Sequence, residues 1–281
     1  MLELLHTSPL LAGGFVFFIG LCVGSFLNVV VHRLPIMLER GWATEAAELR
    51  QEPAPESPRF NLVVPRSRCP HCGHRIRALE NVPVVSWLVL RGRCSRCKAP
   101  IGLRYPLVEL ATALLSLLVF LLLGPGLQML AALGLTWALL ALTLIDFDTQ
   151  LLPDDITLPL LWAGLLVNVP GTFVPLQAAV IGAAAGYLSL WSVYWLFKLA
   201  TGKEGMGYGD FKLMAALGAW LGWVALPLIL LLSSVVGTVI GIGYLIVRRQ
   251  SAPFAFGPYI AIAGFIALLW GQSLLHWYLG V

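Results

Sequence analysis

Charge is what this sequence has least of. Only 11% of its 281 residues are Asp, Glu, Lys or Arg and 59% are hydrophobic, against about 25% and roughly 45–50% in soluble domains. A water-soluble fold of this length cannot hide that much apolar surface behind a charged exterior. The shortage of charge also excludes a disordered chain, and five cysteines are too few for a disulfide scaffold. There is no H-E-x-x-H, and His6, His32, His71, His74 and His276 give no zincin spacing. No G-x-G-x-x-G follows a strand-like segment, so a Rossmann nucleotide site is unsupported, and Ser25 has no His or Lys base at its depth. The apolar runs far exceed the about 9–11 residues of a barrel strand, which leaves an all-α integral membrane protein.

A helix needs about 20 apolar residues to cross a bilayer. The first candidate runs over 10–31 and ends at His32-Arg33. Its start lacks a basic n-region and an A-x-A-like cleavage site, so a retained helix is expected rather than a signal peptide. Seven further spans are predicted at 106–123, 127–147, 155–168, 174–197, 211–225, 227–247 and 255–279, about eight in all. Those at 155–168 and 211–225 are short, either tilted or incompletely crossing. The chain thus divides into a first transmembrane helix (1–32), a basic cytoplasmic loop (33–105) and a seven-helix membrane core (106–281).

The scarce cations supply the orientation. Thirteen of the 18 Lys and Arg lie between Arg33 and Arg104. If the loops alternate sides, 33–105, 148–154, 198–212 and 248–254 hold all 18 and the opposite side holds none. By the positive-inside rule these loops are cytoplasmic, and both termini face the other side.

The large loop contains Cys69-Pro-His-Cys72 and, after a gap of 21 residues, Cys94-Ser-Arg-Cys97. Paired C-x2-C turns can set four thiolates tetrahedrally around Zn²⁺, leaving no open position, so the metal is structural. Cytosolic thiols stay reduced, which disfavours disulfides. His71 and His74 are read as lying beside the sulfurs or in solvent, and Cys22 as a buried apolar filler. Arg66, Arg68, Arg75, Arg77, Arg91, Arg93 and Arg96 surround the knuckles without interleaved aromatics, so anionic lipid headgroups suit them better than nucleic acid. The stretch 41–60 reads as an Ala/Glu-rich turn or helix followed by a Pro-rich linker, with no chemistry.

After Glu109 only Asp146, Asp148, Asp154, Asp155, Glu204 and Asp210 are acidic. Asp146 closes the third span, and Asp210 stands in Gly207-Tyr208-Gly209-Asp210 where the sixth begins. Two complete spans separate them, so the chain returns to one face and the carboxylates can meet. Such a pair shares a proton, one member activating water while the other protonates the carbonyl or leaving amine. Glycines beside them allow a bound peptide to approach closely. Asp154 and Asp155 read as N-caps of the fourth span, and Asp148 as solvated or supporting. Asp210 can also be a cap, and the pair can line a proton or cation pathway; a proton- or cation-coupled transporter is the alternative to a protease.

Several ordered motifs resemble the type IV prepilin leader peptidases, and the GxGD element resembles presenilin-like aspartyl proteases. They are Gly24-Ser-Phe-Leu-Asn28-Val-Val-Val-His32-Arg33-Leu-Pro35, the two C-x2-C knuckles, Glu80-Asn81-Val-Pro83-Val-Val-Ser86-Trp87, Arg104-Tyr105-Pro106-Leu-Val-Glu109, IDFDTQLLPD and GKEGMGYGDFK. The resemblance implies a bifunctional enzyme of the bacterial inner membrane. It would cleave the short basic leader of prepilins and pseudopilins between Gly and Phe at the cytoplasmic face, then methylate the new N-terminus with S-adenosylmethionine. By motif position it implies Asp146 and Asp210 as catalytic and Cys69, Cys72, Cys94 and Cys97 as zinc ligands. It assigns no residue to S-adenosylmethionine.

Overall fold

The computed structural model describes residues 8–53, 58–248 and 255–279. Eight helices of 14 residues or more stand out among them: α1 (Pro9–Leu49), α2 (Arg104–Leu123), α3 (Leu127–Thr149), α4 (Asp154–Val167), α5 (Leu176–Thr201), α6 (Tyr208–Leu221), α7 (Leu226–Arg248) and α8 (Gly257–Leu279). The described residues form no strand, only two isolated bridges. Six helices are long and apolar enough to cross a membrane. The other two, α4 and α6, have 14 residues each, about 21 Å against about 30 Å of hydrocarbon. They occupy the two spans expected to be short. The expected loop 248–254 lies outside the described residues after Arg248, as do 1–7, 54–57 and 280–281.

The chain separates into two compact units, residues 1–125 and 126–281. In the first, α1 packs along α2. A Cβ built on Gly20 would lie 2.6 Å from Ala113 Cα, and one on Gly24 2.6 Å from Glu109 Cα. This glycine seam lets the backbones approach closely, the usual device where lipid supplies no hydrophobic drive between helices. Cys22 sits two residues round the helix from each glycine, about 200° away. It is therefore exposed, not the buried filler that was expected.

A second difference concerns the end of the first helix. It does not stop at His32-Arg33 but continues through Pro35 to Leu49. Arg33 is buried, because its guanidinium donates to Asn61 O at 2.8 Å and Pro65 O at 2.6 Å and lies over the Phe60 ring. A cation whose donors meet carbonyls tolerates burial, so Arg33 ties the following loop to α1. In the same unit the buried Glu109 accepts the N–H of Val84 at 2.7 Å, where the backbone has a positive φ of 59°.

In the second unit α6 is the central element. Asp210, Phe211 and every residue from Leu213 to Trp220 are buried beneath α4, α5 and α8. A helix buried on every side needs no membrane-spanning length. Gly182 and Gly186 of α5 meet the backbone of Gly218 and Met214 of α6 with no room for a side chain. At the far end of α6 the wholly buried Asn168 donates to Ala219 O (2.9 Å) and Trp220 O (3.0 Å). It also accepts from the N–H groups of Phe173 and Val174. One side chain thereby satisfies backbone groups at two helix ends.

Asp154 and Asp155 lie in the first turn of α4, whose N-cap is Pro153, so they are not the expected caps. Their charge suits the helix N-terminus, and Lys212 Nζ donates to both Asp154 oxygens at 2.6 and 2.7 Å.

Candidate active site

Two local structures in the second unit present its two buried aspartates. The last turn of α3 carries Asp146, and the helix closes where Gln150, at a left-handed φ of 56°, donates its N–H to Asp146 O. At the other end of the constellation the glycine-rich segment 202–207 delivers an extended Gly207 as N-cap of α6, so Asp210 falls in its first turn. Asp210 is 6% exposed and Asp146 4%. Both line one cavity of about 270 Å³ with Gln150, Leu152, Glu204 and Phe256.

Glycines shape the walls of this cavity. A Cβ on Gly257, at the start of α8, would lie 2.6 Å from Asp146 Oδ2, and one on Gly209 2.7 Å from Leu152 Cβ. Asp146 Oδ2, though buried, has no hydrogen-bond partner among the described residues. A buried acceptor without a partner costs about 1–3 kcal/mol or more, which marks it as a group kept for something that enters the cavity. With about 30 Å³ per water, the volume admits several waters or a short stretch of peptide. Chemically, paired carboxyls here can pass a proton to and from a reacting group.

Glu204 at the rim was not assigned a role from the sequence. Lys198 Nζ donates to it at 2.8 Å and to Tyr194 OH at 3.1 Å, and this contact holds the Glu204 carboxyl below its usual range. Gly257 and Phe256 were also missed, since nothing in their spacing ties them to the aspartates. Asp148 is exposed and is not among the residues lining the cavity.

The first unit carries the thiol cluster. The Sγ atoms of Cys69, Cys72, Cys94 and Cys97 all lie within 4.8 Å of one another, and Cys69 and Cys97 are 3.7 Å apart. A tetrahedral site with Zn–S bonds of about 2.3 Å has edges of about 3.8 Å, so the four thiols fit a zinc ion. The two knuckles repeat each other. Cys69 N–H donates to His74 O, and Cys94 N–H to Ala99 O. Gly73 and Lys98, each just after the second cysteine, have φ of 68° and 61°. The flanking bridges pair Arg68 with Arg75 and Arg93 with Pro100. The N–H groups of Cys97 and Arg96 pull the Cys94 thiol down to about 6, while against the pull of the Ala99 N–H, burial and the neighbouring sulfurs push Cys97 up to about 11. His74 Nε2 lies 3.1 Å from Glu80 Oε2 and His71 is exposed; neither belongs to the sulfur cluster.

A multi-pass helical membrane protein with two buried aspartates on one cavity and a four-thiol ribbon is the class that fold and sites define. Residues 18–123 match the bacterial peptidase A24 N-terminal domain and residues 133–242 the type IV leader peptidase family. The chain is 63% identical to a prepilin leader peptidase/N-methyltransferase of Aeromonas hydrophila over 99% of its own length and 98% of the relative's. It is 63% identical to one of Pseudomonas putida over 91% and 90%. For one of Pseudomonas aeruginosa the figures are 59%, 99% and 97%. No solved structure matches. This chain belongs to the type IV leader peptidase family.

Proposed function

We propose that the chain is a prepilin leader peptidase and N-methyltransferase of the bacterial inner membrane, with Asp146 and Asp210 as its catalytic pair. The observation that carries this reading is that the two buried aspartates line one cavity, Asp210 within Gly207-Tyr208-Gly209-Asp210. Family membership and the names of the relatives support the substrate class, prepilins and pseudopilins.

The pair holds one proton between its two carboxyl groups. The ionised member takes a proton from water as the water oxygen bonds to the scissile carbonyl carbon of a Gly-Phe bond. The protonated member donates to the carbonyl oxygen. Return of a proton to the leaving amine then breaks the C–N bond. The orphan Oδ2 of Asp146 is suited to that water or carbonyl, and Gly209 and Gly257 leave space for an extended backbone.

Charge distribution sets the orientation, with the aspartates and the ribbon at the cytoplasmic face and both termini in the periplasm. The peptidase work belongs to the helices of 106–281, and residues 33–105 carry a structural zinc on Cys69, Cys72, Cys94 and Cys97. S-adenosylmethionine is the methyl donor. Its sulfonium and ammonium outweigh its one carboxylate, so it does not suit the cavity that Arg66, Arg75, Arg77 and Arg96 line on the ribbon.

The test is to incubate the purified protein with a prepilin and S-adenosylmethionine and weigh the product. Loss of the leader is expected, followed by a further methyl mass. An intact prepilin would reject the reading.

A further inference from the structure

The ribbon has a cavity of its own that peptide cleavage does not use. It measures about 530 Å³ and is lined by Arg66, Arg75, Arg77 and Arg96, with His74 in its wall. Residues 66–100 contain eight Lys and Arg and one carboxylate, Glu80. That carboxylate is already engaged. It accepts the Arg77 N–H at 2.9 Å and meets His74 Nε2 at 3.1 Å, and the Arg77 N–H and Ser95 hold it down at about 2. None of the four guanidinium groups forms an ion pair with a carboxylate among the described residues. Even four thiolates around Zn²⁺, with a net charge of about −2, leave the ribbon cationic. Four guanidinium forks converging on one cavity suit a phosphate and repel cationic ligands.

Two further features select the source of that phosphate. The segment between the knuckles exposes apolar side chains, with Leu79 86%, Leu88 60% and Val89 74% accessible, which water solvates poorly. The ribbon is also tethered. Arg96 is eight residues from Arg104, the first residue of the membrane helix α2, so at about 3.3–3.6 Å per residue it can stray no more than about 29 Å. Stacked nucleic acid bases are not accommodated, because Trp87 Nε1 donates to Ile101 O and the indole packs against Gly92.

We propose that the Arg66–Arg75–Arg77–Arg96 cavity seats the phosphate of an anionic phospholipid headgroup, docking the ribbon on the bilayer that α1 and α2 cross. The exposed leucines and valine then lie at the acyl boundary, and the guanidinium groups lie among the headgroups.

The experiment uses the purified full-length protein in nonionic detergent, titrated by calorimetry with dihexanoyl phosphatidylglycerol, dihexanoyl phosphatidylcholine and inorganic phosphate. Phosphatidylglycerol is expected to bind at least about tenfold more tightly than phosphatidylcholine and to weaken as salt rises. A variant carrying Arg66→Gln, Arg75→Gln, Arg77→Gln and Arg96→Gln should lose that preference while keeping its zinc. Lysine at the same four positions should retain part of it. Equal binding of the two lipids by the wild-type protein, or an unchanged preference in a zinc-loaded glutamine variant, overturns the proposal. Inorganic phosphate binding as tightly as phosphatidylglycerol would also overturn it, in favour of a free anion. If the glutamine variant sheds zinc, the wild-type titrations and the lysine variant decide. None of these outcomes depends on leader cleavage, so the two readings fail separately.

Discussion

The two units differ in how completely they satisfy their buried polar groups. In residues 1–125, Arg33 donates to the carbonyls of Asn61 and Pro65 and Glu109 accepts from Val84. The four thiols there cluster where one metal would engage them all. In residues 126–281, Asn168 is equally well satisfied at one end of α6, but at the other end Asp146 keeps an oxygen with no partner beside Asp210. A satisfied buried group holds a shape, whereas an unsatisfied one costs stability and persists where chemistry uses it. The contrast falls at the cavity at the start of α6, where the catalytic pair is proposed.

Substitutions can break the contrast, beginning with the largest effect. Asp146→Asn or Asp210→Asn should lower leader cleavage by about a thousandfold or more in a purified assay. Thermal stability should stay level or rise, because the two buried carboxyls no longer compete for charge in one cavity. A variant that cleaves well would reject the pair. Replacing Cys69 and Cys94 by Ser should take zinc from one per chain to none by metal analysis and expose residues 66–100 to protease. Cleavage should fall less than in either aspartate variant; an equal loss would mean that the peptidase depends on the ribbon as strongly as on its own carboxyls.

Glycine substitutions sharpen the comparison further. Gly257→Ala pushes a methyl toward Asp146 Oδ2 and should cut kcat by about tenfold to a hundredfold. Gly24→Ala pushes one toward Glu109 and should instead cost about 1–3 kcal/mol in a denaturation measurement, with zinc retained. Asn168→Ala, which strips partners from buried backbone groups, should cost a similar 1–3 kcal/mol or so without changing the chemistry. The smallest effect is expected at the exposed Asp154–Lys212 pair, where Asp154→Asn should shift stability by about 0.2–1 kcal/mol.

Much of this was legible along the chain because it is written locally. Each of the eight expected apolar segments holds a helix, six of them long and apolar enough to cross a membrane, since the need for an apolar run depends on composition within a short window. The knuckles were readable because C-x2-C turns close on themselves. Other readings failed where a distant partner changed the meaning of a residue. Arg33 reads as a loop entry until two carbonyls from 61–65 surround its guanidinium. Cys22 reads as a core filler until the glycine seam turns it outward. Asp154 reads as a cap until Pro153 takes the N-cap position and Asp154, one residue on, pairs with Lys212.

By itself the sequence determined that this is an all-helical membrane protein, and it singled out four thiols and two aspartates as the groups with chemistry to offer. Periodicity, hydropathy and charge asymmetry are properties of neighbouring residues and survive without a fold. Only the tertiary structure decided that α6 is a buried central helix, that Glu204 and Phe256 border the aspartate cavity and that Gly257 lies against Asp146. It alone brought four arginines around a second cavity on the ribbon. Those facts depend on which backbones approach closely enough to exclude a side chain, and such distances exist only once the helices have packed.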